Sequence, residues 1–130
     1  MKIYVAGKFE KKEEILRIYE ELKKLGHEIS YDWTKHKSIK PYEQNQGLAN
    51  EYSENELQGL MNCDIFIYLT SDKGHTLHME FGCCLVLNKI NNKPIIYAVG
   101  EDKDKSPWMF NKRIKRRNSV KEVIEEIKNM

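Results

Sequence analysis

Strand-like and helix-like segments alternate along this chain, and this alternation is the feature that most constrains its fold. The strand-like segments are short and apolar, and they cover residues 2–6, 28–31, 64–69 and 94–99, with a last short one at Ile114. Segments with helical spacing of apolar residues cover residues 11–25, 53–62, 77–90 and the stretch after Ser119. Strands that alternate with helices form mostly parallel sheets covered on both faces. We therefore predict an α/β sandwich with about five strands.

Length and charge narrow the class of protein further. The 130 residues suffice for one domain with a real core and are too few for two, so we predict a single domain over residues 1–130. The 22 Lys and Arg residues against 20 Asp and Glu leave a net charge of +2, which is no basic field for nucleic acid. No apolar stretch approaches membrane-spanning length. We expect neither a nucleic acid nor a membrane as partner.

The cysteines indicate the compartment. Cys63, Cys83 and Cys84 are an odd number, two of them are adjacent, and all three have apolar neighbours without CxxC spacing. This pattern is typical of free buried thiols in a reducing environment. Met1 also leads directly into a strand pattern rather than a targeting segment. We therefore expect a cytoplasmic protein.

The predicted topology gathers polar side chains at one edge of the sheet. Ligands of such sheets bind beyond the carboxyl ends of the strands. The helix with Glu80 leaves a strand and the helix with Glu56 enters one, so both helices begin at that edge. Asp32 and Trp33 follow the second strand, and Tyr4 lies inside the first strand just below the edge. The sequence thus predicts two carboxylates, a phenol and an indole in one cleft.

Glu80 stands out because it falls on an apolar helix face. Between Leu77 and Ile90 the only charged residues are Glu80 and Lys89, and at about 100° per residue Glu80 points to the same side as the apolar positions. A carboxylate there must be paired, protonated or catalytic. The alternative is a first-turn Glu stabilised by the helix dipole.

Glu56 also has two possible roles, one structural and one catalytic. Ser53 and Glu56 have capping-box spacing, which makes Glu56 a structural partner at the start of a helix. Beside Glu80, however, it would complete the pair of carboxylates that glycosidic-bond chemistry uses, one as nucleophile and one as proton donor. Mutual repulsion and burial would separate the pKa values of the two groups and so their roles.

Several short motifs then resemble a known family. These are Ile3-Tyr4-Val5-Ala6-Gly7, Asn55-Glu56-Leu57-Gln58-Gly59-Leu60, Asn62-Cys63-Asp64-Ile65, Gly74 and Met79-Glu80-Phe81-Gly82. Their order and spacing resemble the nucleoside 2-deoxyribosyltransferase superfamily, which also contains 2'-deoxynucleoside 5'-monophosphate N-hydrolases. The resemblance implies a flavodoxin-like fold and no cofactor.

The resemblance also implies a role for each catalytic candidate. Glu80 would attack C1' of a deoxyribosyl group and form a covalent glycosyl-enzyme, while Tyr4 would hold the Glu80 carboxylate by a hydrogen bond. Glu56 would assist departure of the nucleobase. A second nucleobase then reverses the step in a transferase, or water completes it in a hydrolase.

The chain departs from the family pattern at three places. Position 56 is Glu where the family usually has Asp, which is one methylene shorter. Gly74 stands six residues before Glu80, where transferases tend to carry Asp and the hydrolases Ser; Ser71 or Asp72 could substitute. Gly7 and Lys8 occupy the place of a glycine-rich loop of the hydrolases, and Lys8 could meet a phosphate.

From these features we expect a transferase that moves deoxyribosyl groups between nucleobases. The alternatives are a deoxynucleoside monophosphate N-glycosidase and a non-catalytic nucleotide-binding module of the same fold. In each case the ligand is a small nucleoside or nucleotide. Substrate-binding candidates are Gly7, Lys8, Asp32, Trp33, Ser71, Asp72, Gly74 and Asn111.

Three weaker sequence features each allow a structural and a functional interpretation. His75 and His78 lack HExxH spacing and a cysteine partner, so we expect no metal site. Trp33 either stacks on a nucleobase or anchors its loop. The basic run 112–117 is either a solvated edge or a phosphate contact.

An apolar patch in a polar loop predicts assembly. Trp108, Met109 and Phe110 lie between residues 101 and 111, where the chain is otherwise polar. Such a patch suits a subunit interface, and the family commonly places a neighbour's residues over the cleft. We expect a homodimer or larger oligomer, with the 105–117 segment near the partner's site.

Overall fold

The alternation predicted from the sequence is what the chain adopts. A computed structural model describes all residues 1–130. Its strands are β1 (Lys2–Ala6), β2 (Glu28–Ile29), β3 (Ile65–Leu69), β4 (Ile95–Val99) and β5 (Ile114–Arg117). Its helices are α1 (Lys12–Lys24), α2 (Gln46–Asn62), α3 (His75–Asn91) and α4 (Val120–Lys128). The predicted α/β fold with a parallel sheet of five strands is confirmed.

The strand order creates a switch point beside β1. The sheet runs β2-β1-β3-β4-β5, so the chain leaves β1 toward one side and returns to β3 on the other. Because parallel crossovers are right-handed, α1 covers one face while α2 and α3 cover the opposite face. Ligands of doubly wound sheets bind beyond such a switch point. The elements that flank it here are β1, β3, α2 and α3.

The core consists of the three central strands and the inner faces of the helices. Every residue of β3 is buried, as expected for a strand covered on both faces. Aromatic rings fill the layer under α2 and α3: the ring centroids of Tyr4 and Phe66 lie 5.9 Å apart, and those of Tyr68 and Phe81 lie 5.2 Å apart. Burying each such side chain stabilises the fold by roughly 1.5–3 kcal/mol. The floor of the switch point is therefore a packed layer of aromatic rings.

The predicted capping box at Ser53 is wrong. Helix α2 begins at Gln46, seven positions earlier, and the Ser53 hydroxyl instead donates to the carbonyl of Asn50 at 2.9 Å. Serine inside a helix commonly bonds back to the preceding turn, so the local pattern fits a helix interior as well as a helix start. Ser119 does cap a helix: its hydroxyl accepts from the Glu122 amide at the start of α4.

Two further differences concern length. Strand β2 ends at Ile29 rather than residue 31 because only Lys2 and Ile3 of β1 pair with it. Helix α3 begins at His75 rather than Leu77. No helix of the chain is long and apolar enough to cross a membrane.

Candidate active site

Glu80 and Tyr4 meet at the centre of the switch point. The Tyr4 hydroxyl donates to Glu80 Oε2 at 2.6 Å, and Glu80 is only 8% exposed. Strand alternation turns Tyr4 toward the face that α2 and α3 cover. Helix α3 connects β3 to β4, and Glu80 reaches Tyr4 on β1, the strand next to β3. The hydrogen bond occupies one carboxylate oxygen and leaves Oε1 without a partner among the hydrogen bonds of the protein.

Glu80 is not a first-turn helix residue. Gly74, with φ of +100°, precedes the helix, and the first turn that follows contains no acidic residue. Glu80 lies in the second turn, where the helix dipole has largely faded. Stabilisation by the helix dipole therefore does not explain Glu80. The side chain that contacts its carboxylate is Tyr4.

Gly59 brings α2 close enough to place Glu56 in the same site. A Cβ on Gly59 would lie 2.6 Å from Tyr31 Cβ and 3.2 Å from Tyr4 Cε2, so no larger residue fits without a shift. Glu56 precedes Gly59 by three positions and shares its helix face. The side chain of Glu56 is 18% exposed and forms no capping-box pair.

Burial raises the pKa values of both carboxyl groups. Desolvation raises the pKa of Glu56 to about 7. Desolvation also raises the pKa of Glu80 to about 8; the hydrogen bond from Tyr4 acts in the opposite direction, and the nearby Glu56 adds to the rise. Burial, followed by the two carboxylates, holds the pKa of Tyr4 far above its usual value, so Tyr4 stays a hydrogen-bond donor. Because the carboxyl groups repel as anions, the pair holds one proton near neutral pH.

His36 is a site residue that sequence reasoning missed. Its Nδ1 lies 3.6 Å from Glu56 Oε1, and its Nε2 lies 2.6 Å from the Tyr31 hydroxyl. The Tyr52 ring stacks on the imidazole with centroids 3.7 Å apart and planes 3° from parallel. No spacing rule connects these residues, and the only signal was their place in or beside an unusually long polar loop.

Asp32 and Trp33 anchor the start of that loop. The Trp33 indole donates to the carbonyl of Val5 at 2.7 Å, and its ring is buried. The Asp32 carboxylate accepts from the amide of Thr34 at 2.9 Å and also from the Thr34 hydroxyl. This geometry favours the anchoring interpretation of Trp33 over base stacking. Both residues thereby fix the path of the chain toward His36.

Lys8 and Gly74 bring two loops together at the carboxyl edge. Lys8 Cγ lies 3.8 Å from the place where a Cβ on Gly74 would stand. Gly7 leaves room for Ile15 of α1 at the end of β1, since a Cβ there would lie 2.8 Å from Ile15 Cδ1. The Lys8 ammonium group forms no salt bridge within the chain. It is thus available to an anionic group that enters between the loops.

The remaining substrate-binding candidates lie at different edges of the sheet. Ser71 stays in the β3–α3 loop, where its hydroxyl accepts from the Lys73 amide at 3.2 Å and its carbonyl lies 3.1 Å from His78 Nε2. Asp72 is exposed in the same loop. Asn111 is not brought to this site: it precedes β5 and caps the turn by accepting from the Arg113 amide at 3.0 Å, which puts it toward the amino edge of the sheet.

The histidines at the start of α3 belong to no metal-ligand cluster. No group of three His, Cys, Asp or Glu side chains in the chain is arranged to hold a metal ion. The three cysteines are unpaired thiols, with Cys63 and Cys84 buried. The reactive side chains gathered at the site are carboxylates, phenols and an imidazole.

Comparison with known proteins supports the fold. No protein-family model matches this chain, and no curated protein matches it. A solved structure, that of Clostridium botulinum CMP N-glycosidase BcmB, is similar over 98% of this chain and 97% of that chain, with a TM-score of 0.63 and 15% sequence identity. At this identity the likeness shows the fold. It agrees with the flavodoxin-like fold that the resemblance to the deoxyribosyltransferase superfamily implied.

Proposed function

We propose that this protein cleaves the N-glycosidic bond of a nucleoside or nucleotide, with Glu80 as the nucleophile. The observation that carries the proposal is the buried pair of Glu80 and Glu56 beneath a switch point, with Tyr4 bonded to Glu80. A buried carboxylate lowers the free energy of unfolding, so its presence here favours a catalytic role. The similarity in fold to a CMP N-glycosidase supports the same class of reaction.

The first step is a displacement at C1' of the sugar. Glu80 Oε1 forms a bond to C1' while the C1'–N bond breaks and its electron pair goes to the departing base. Glu56 donates its proton to a ring nitrogen or carbonyl of that base, which leaves neutral. Tyr4 holds Glu80 in line for attack, and its hydrogen bond favours the ionised form that attacks.

The second step decides between two outcomes. We propose transfer as the first: a second nucleobase attacks C1', gives its proton to Glu56 and releases Glu80. In the second candidate, water attacks instead and the protein is an N-glycosidase of nucleoside monophosphates. The similarity in fold to a CMP N-glycosidase favours this candidate, and Lys8, whose Cγ lies beside Gly74, is the cation we propose for the phosphate.

The sugar we propose is 2'-deoxyribose. A 2'-hydroxyl withdraws electron density from the oxocarbenium-like carbon and adds bulk beside Glu80, so deoxyribosides should react faster than ribosides. Cleavage of ribosides at an equal or greater rate would refute the deoxyribosyl assignment and leave the glycosidase class intact.

A product panel tests the outcome. Each deoxynucleoside, each ribonucleoside and their 5'-monophosphates, CMP included, would be incubated with and without a second free base and followed by chromatography. Transfer predicts a new nucleoside that appears faster than free sugar. Accumulation of free sugar or sugar phosphate alone supports the hydrolase. If no substrate changes, the non-catalytic module is the better description.

Intact-mass measurement tests the nucleophile. A slow 2'-fluoroarabinosyl nucleoside should leave a sugar adduct on the wild-type protein and none on Glu80→Gln, whose amide still accepts the Tyr4 hydrogen bond. Glu54→Gln, an exposed change on α2, is the matched control and should be labelled like wild type. An adduct on Glu80→Gln would refute Glu80 as the nucleophile.

A further inference from the structure

The imidazole of His36 is held on three sides. Its Nε2 meets the Tyr31 hydroxyl at 2.6 Å, its face stacks on Tyr52, and its Nδ1 faces Glu56 Oε1 at 3.6 Å. Tyr31 is itself fixed, because its Cβ packs against the backbone of α2 at Gly59. The ring can neither flip nor swing away without breaking the stack and the hydrogen bond.

The chemistry of the contact selects one tautomer. A phenol O–H is a stronger donor than the N–H of a neutral imidazole, and a bare imidazole nitrogen is a stronger acceptor than a phenol oxygen. The Tyr31 hydroxyl therefore donates to Nε2, and the imidazole proton resides on Nδ1. Burial lowers the pKa of His36 below its ordinary value, although Asp32 acts in the opposite direction. The ring is therefore neutral near pH 7. A neutral Nδ1–H then lies next to Glu56, with Nδ1 3.6 Å from Glu56 Oε1.

This N–H is placed to respond to the charge on Glu56. At 3.6 Å it is a weak contact while Glu56 carries a proton, and it strengthens when Glu56 gives that proton to a departing base and becomes an anion. An interaction that strengthens during the reaction lowers the barrier. Burial raises the pKa of Glu56, and the Glu56 charge in turn raises the pKa values of Glu80 on α3, Tyr4 on β1 and Tyr31 after β2. The hydroxyls of Tyr4 and Tyr31 are engaged with Glu80 and His36, which leaves the His36 N–H as the donor facing Glu56.

We propose that Tyr31 is a positioning residue: by donating to His36 Nε2 it holds the Nδ1–H tautomer that stabilises ionised Glu56. The proposal rests on the glycosidase function for its catalytic consequence, and the tautomer itself is independent of that function. It also gives the longer Glu56 side chain a defined partner at a position where the related family usually has Asp. No proton leaves the imidazole in this scheme.

The first test reads the tautomer without substrate. In ¹⁵N NMR of labelled protein near pH 7, the wild-type His36 ring should show a protonated Nδ1 and a bare Nε2. Tyr31→Phe should shift the ring toward the Nε2–H tautomer, which is intrinsically preferred in water. Tyr52→Phe keeps the stacked ring and removes a hydroxyl that bonds only the Lys37 amide, so it should leave the tautomer as in wild type. A protonated Nε2 in the wild type, or no change in Tyr31→Phe, would overturn the proposal.

The second test measures the pKa of Glu56. In ¹³C NMR of carboxyl-labelled glutamate, assigned with Glu56→Gln, the pKa of Glu56 should rise in Tyr31→Phe and in His36→Phe because the anion loses its donor.

Tyr31→Phe should also lower kcat about tenfold on substrates with poor leaving bases and leave KM unchanged. Exposed Tyr42→Phe is the kinetic control. If no substrate reacts even with wild type, the proposed function fails, while the two NMR results still decide on Tyr31. An unchanged pKa of Glu56 in both variants would refute the proposal.

Discussion

At the scale of single residues, the site depends on where one proton resides. Only the form with Glu80 ionised and Glu56 protonated can react. Because the pKa of Glu80, about 8, exceeds that of Glu56, about 7, this is the minor singly protonated form of the free protein. Tyr4 favours ionised Glu80 by its hydrogen bond, which opposes the effect of burial. Because the carboxyl groups interact, the pH dependence belongs to the pair rather than to either residue.

The pair predicts a bell-shaped pH dependence of kcat/KM with its maximum near neutral pH. Activity falls on the acid side because Glu80 becomes protonated, and on the alkaline side because Glu56 loses its proton. In Glu56→Gln the alkaline limb should disappear and turnover should fall by about 10² or more on ordinary bases. The loss should be much smaller with an activated leaving base. Rates over a pH series with both substrate types measure this, and an alkaline limb that persists in Glu56→Gln would contradict the role of Glu56.

The same carboxyl groups predict a loss of stability as pH rises. Both are acids whose folded-state pKa values, about 7 and about 8, exceed the usual value of 4.5, so the folded protein binds more protons than the unfolded chain between those limits. The free energy of unfolding should therefore decrease from about pH 4.5 to pH 8. Urea unfolding of wild type and of the double variant Glu56→Gln/Glu80→Gln measures this, and the variant should lose less stability over that range. Parallel curves would show that the two acids are not desolvated.

At the scale of elements, the approach of α2 to the sheet determines the site. Helix α2 has 17 residues and ends at Asn62, where the chain turns into β3. Gly59 therefore lies against Tyr4 in the middle of β1, and Glu56 lies about 9 Å from the helix end, nearer the carboxyl edge of the sheet. Only the missing side chain at Gly59 lets the helix pack directly on Tyr4 and Tyr31. Glu56 reaches Glu80 as a consequence of this packing.

Two glycines of α2 give a matched test. Gly59→Ala should push α2 away from Tyr4 and Tyr31, destabilise the fold by about 1–3 kcal/mol and lower the rate of Glu80 adduct formation. Gly47→Ala meets no atom within 4 Å and should be neutral or stabilising by up to about 1 kcal/mol. Thermal unfolding together with adduct mass spectrometry distinguishes them. Equal effects of both changes would show that the close approach at Gly59 is unimportant.

At the scale of the whole molecule, one face remains apolar and open to solvent. On α3 the side chains of Met79, Val86 and Ile90 are 55–72% exposed. In the predicted patch Trp108 and Phe110 are exposed, whereas Met109 is buried. Trp108 lies against Gly82, with its Cζ3 3.7 Å from the place of a Cβ, so the helix and the loop form one continuous surface. A patch of this kind suits contact with a second subunit.

We expect a homodimer or larger assembly through this face, with the 105–117 segment near the partner's site. Ile90→Lys should shift the assembly to monomers and lower activity, because a charge in an apolar interface remains unpaired. Leu16→Lys, an exposed change on α1 at the opposite face, is the control and should leave the mass unchanged. Light scattering coupled to size exclusion measures both, and a fully active wild-type monomer would refute the expectation.

The sequence by itself determined most of the fold and the inner position of Glu80. Strand β1 was predicted with its bounds, and β3 and β4 within one residue, because a buried strand is a contiguous apolar run that local composition reveals. Glu80 could be assigned to an inner helix face because helical periodicity is local. Its contact with Tyr4 was expected from family resemblance, and the two residues lie 76 positions apart.

Only the tertiary structure decided the rest of the site. The start of α2 was misplaced because a Ser-to-Glu spacing of three fits both a cap and a helix interior, and packing on the sheet chooses between them. His36 meets Glu56 across 20 positions because of where its loop folds, and Asn111 stands apart because β5 begins at the opposite edge. Contacts of this kind depend on sheet order and helix packing, which join residues that no local pattern connects.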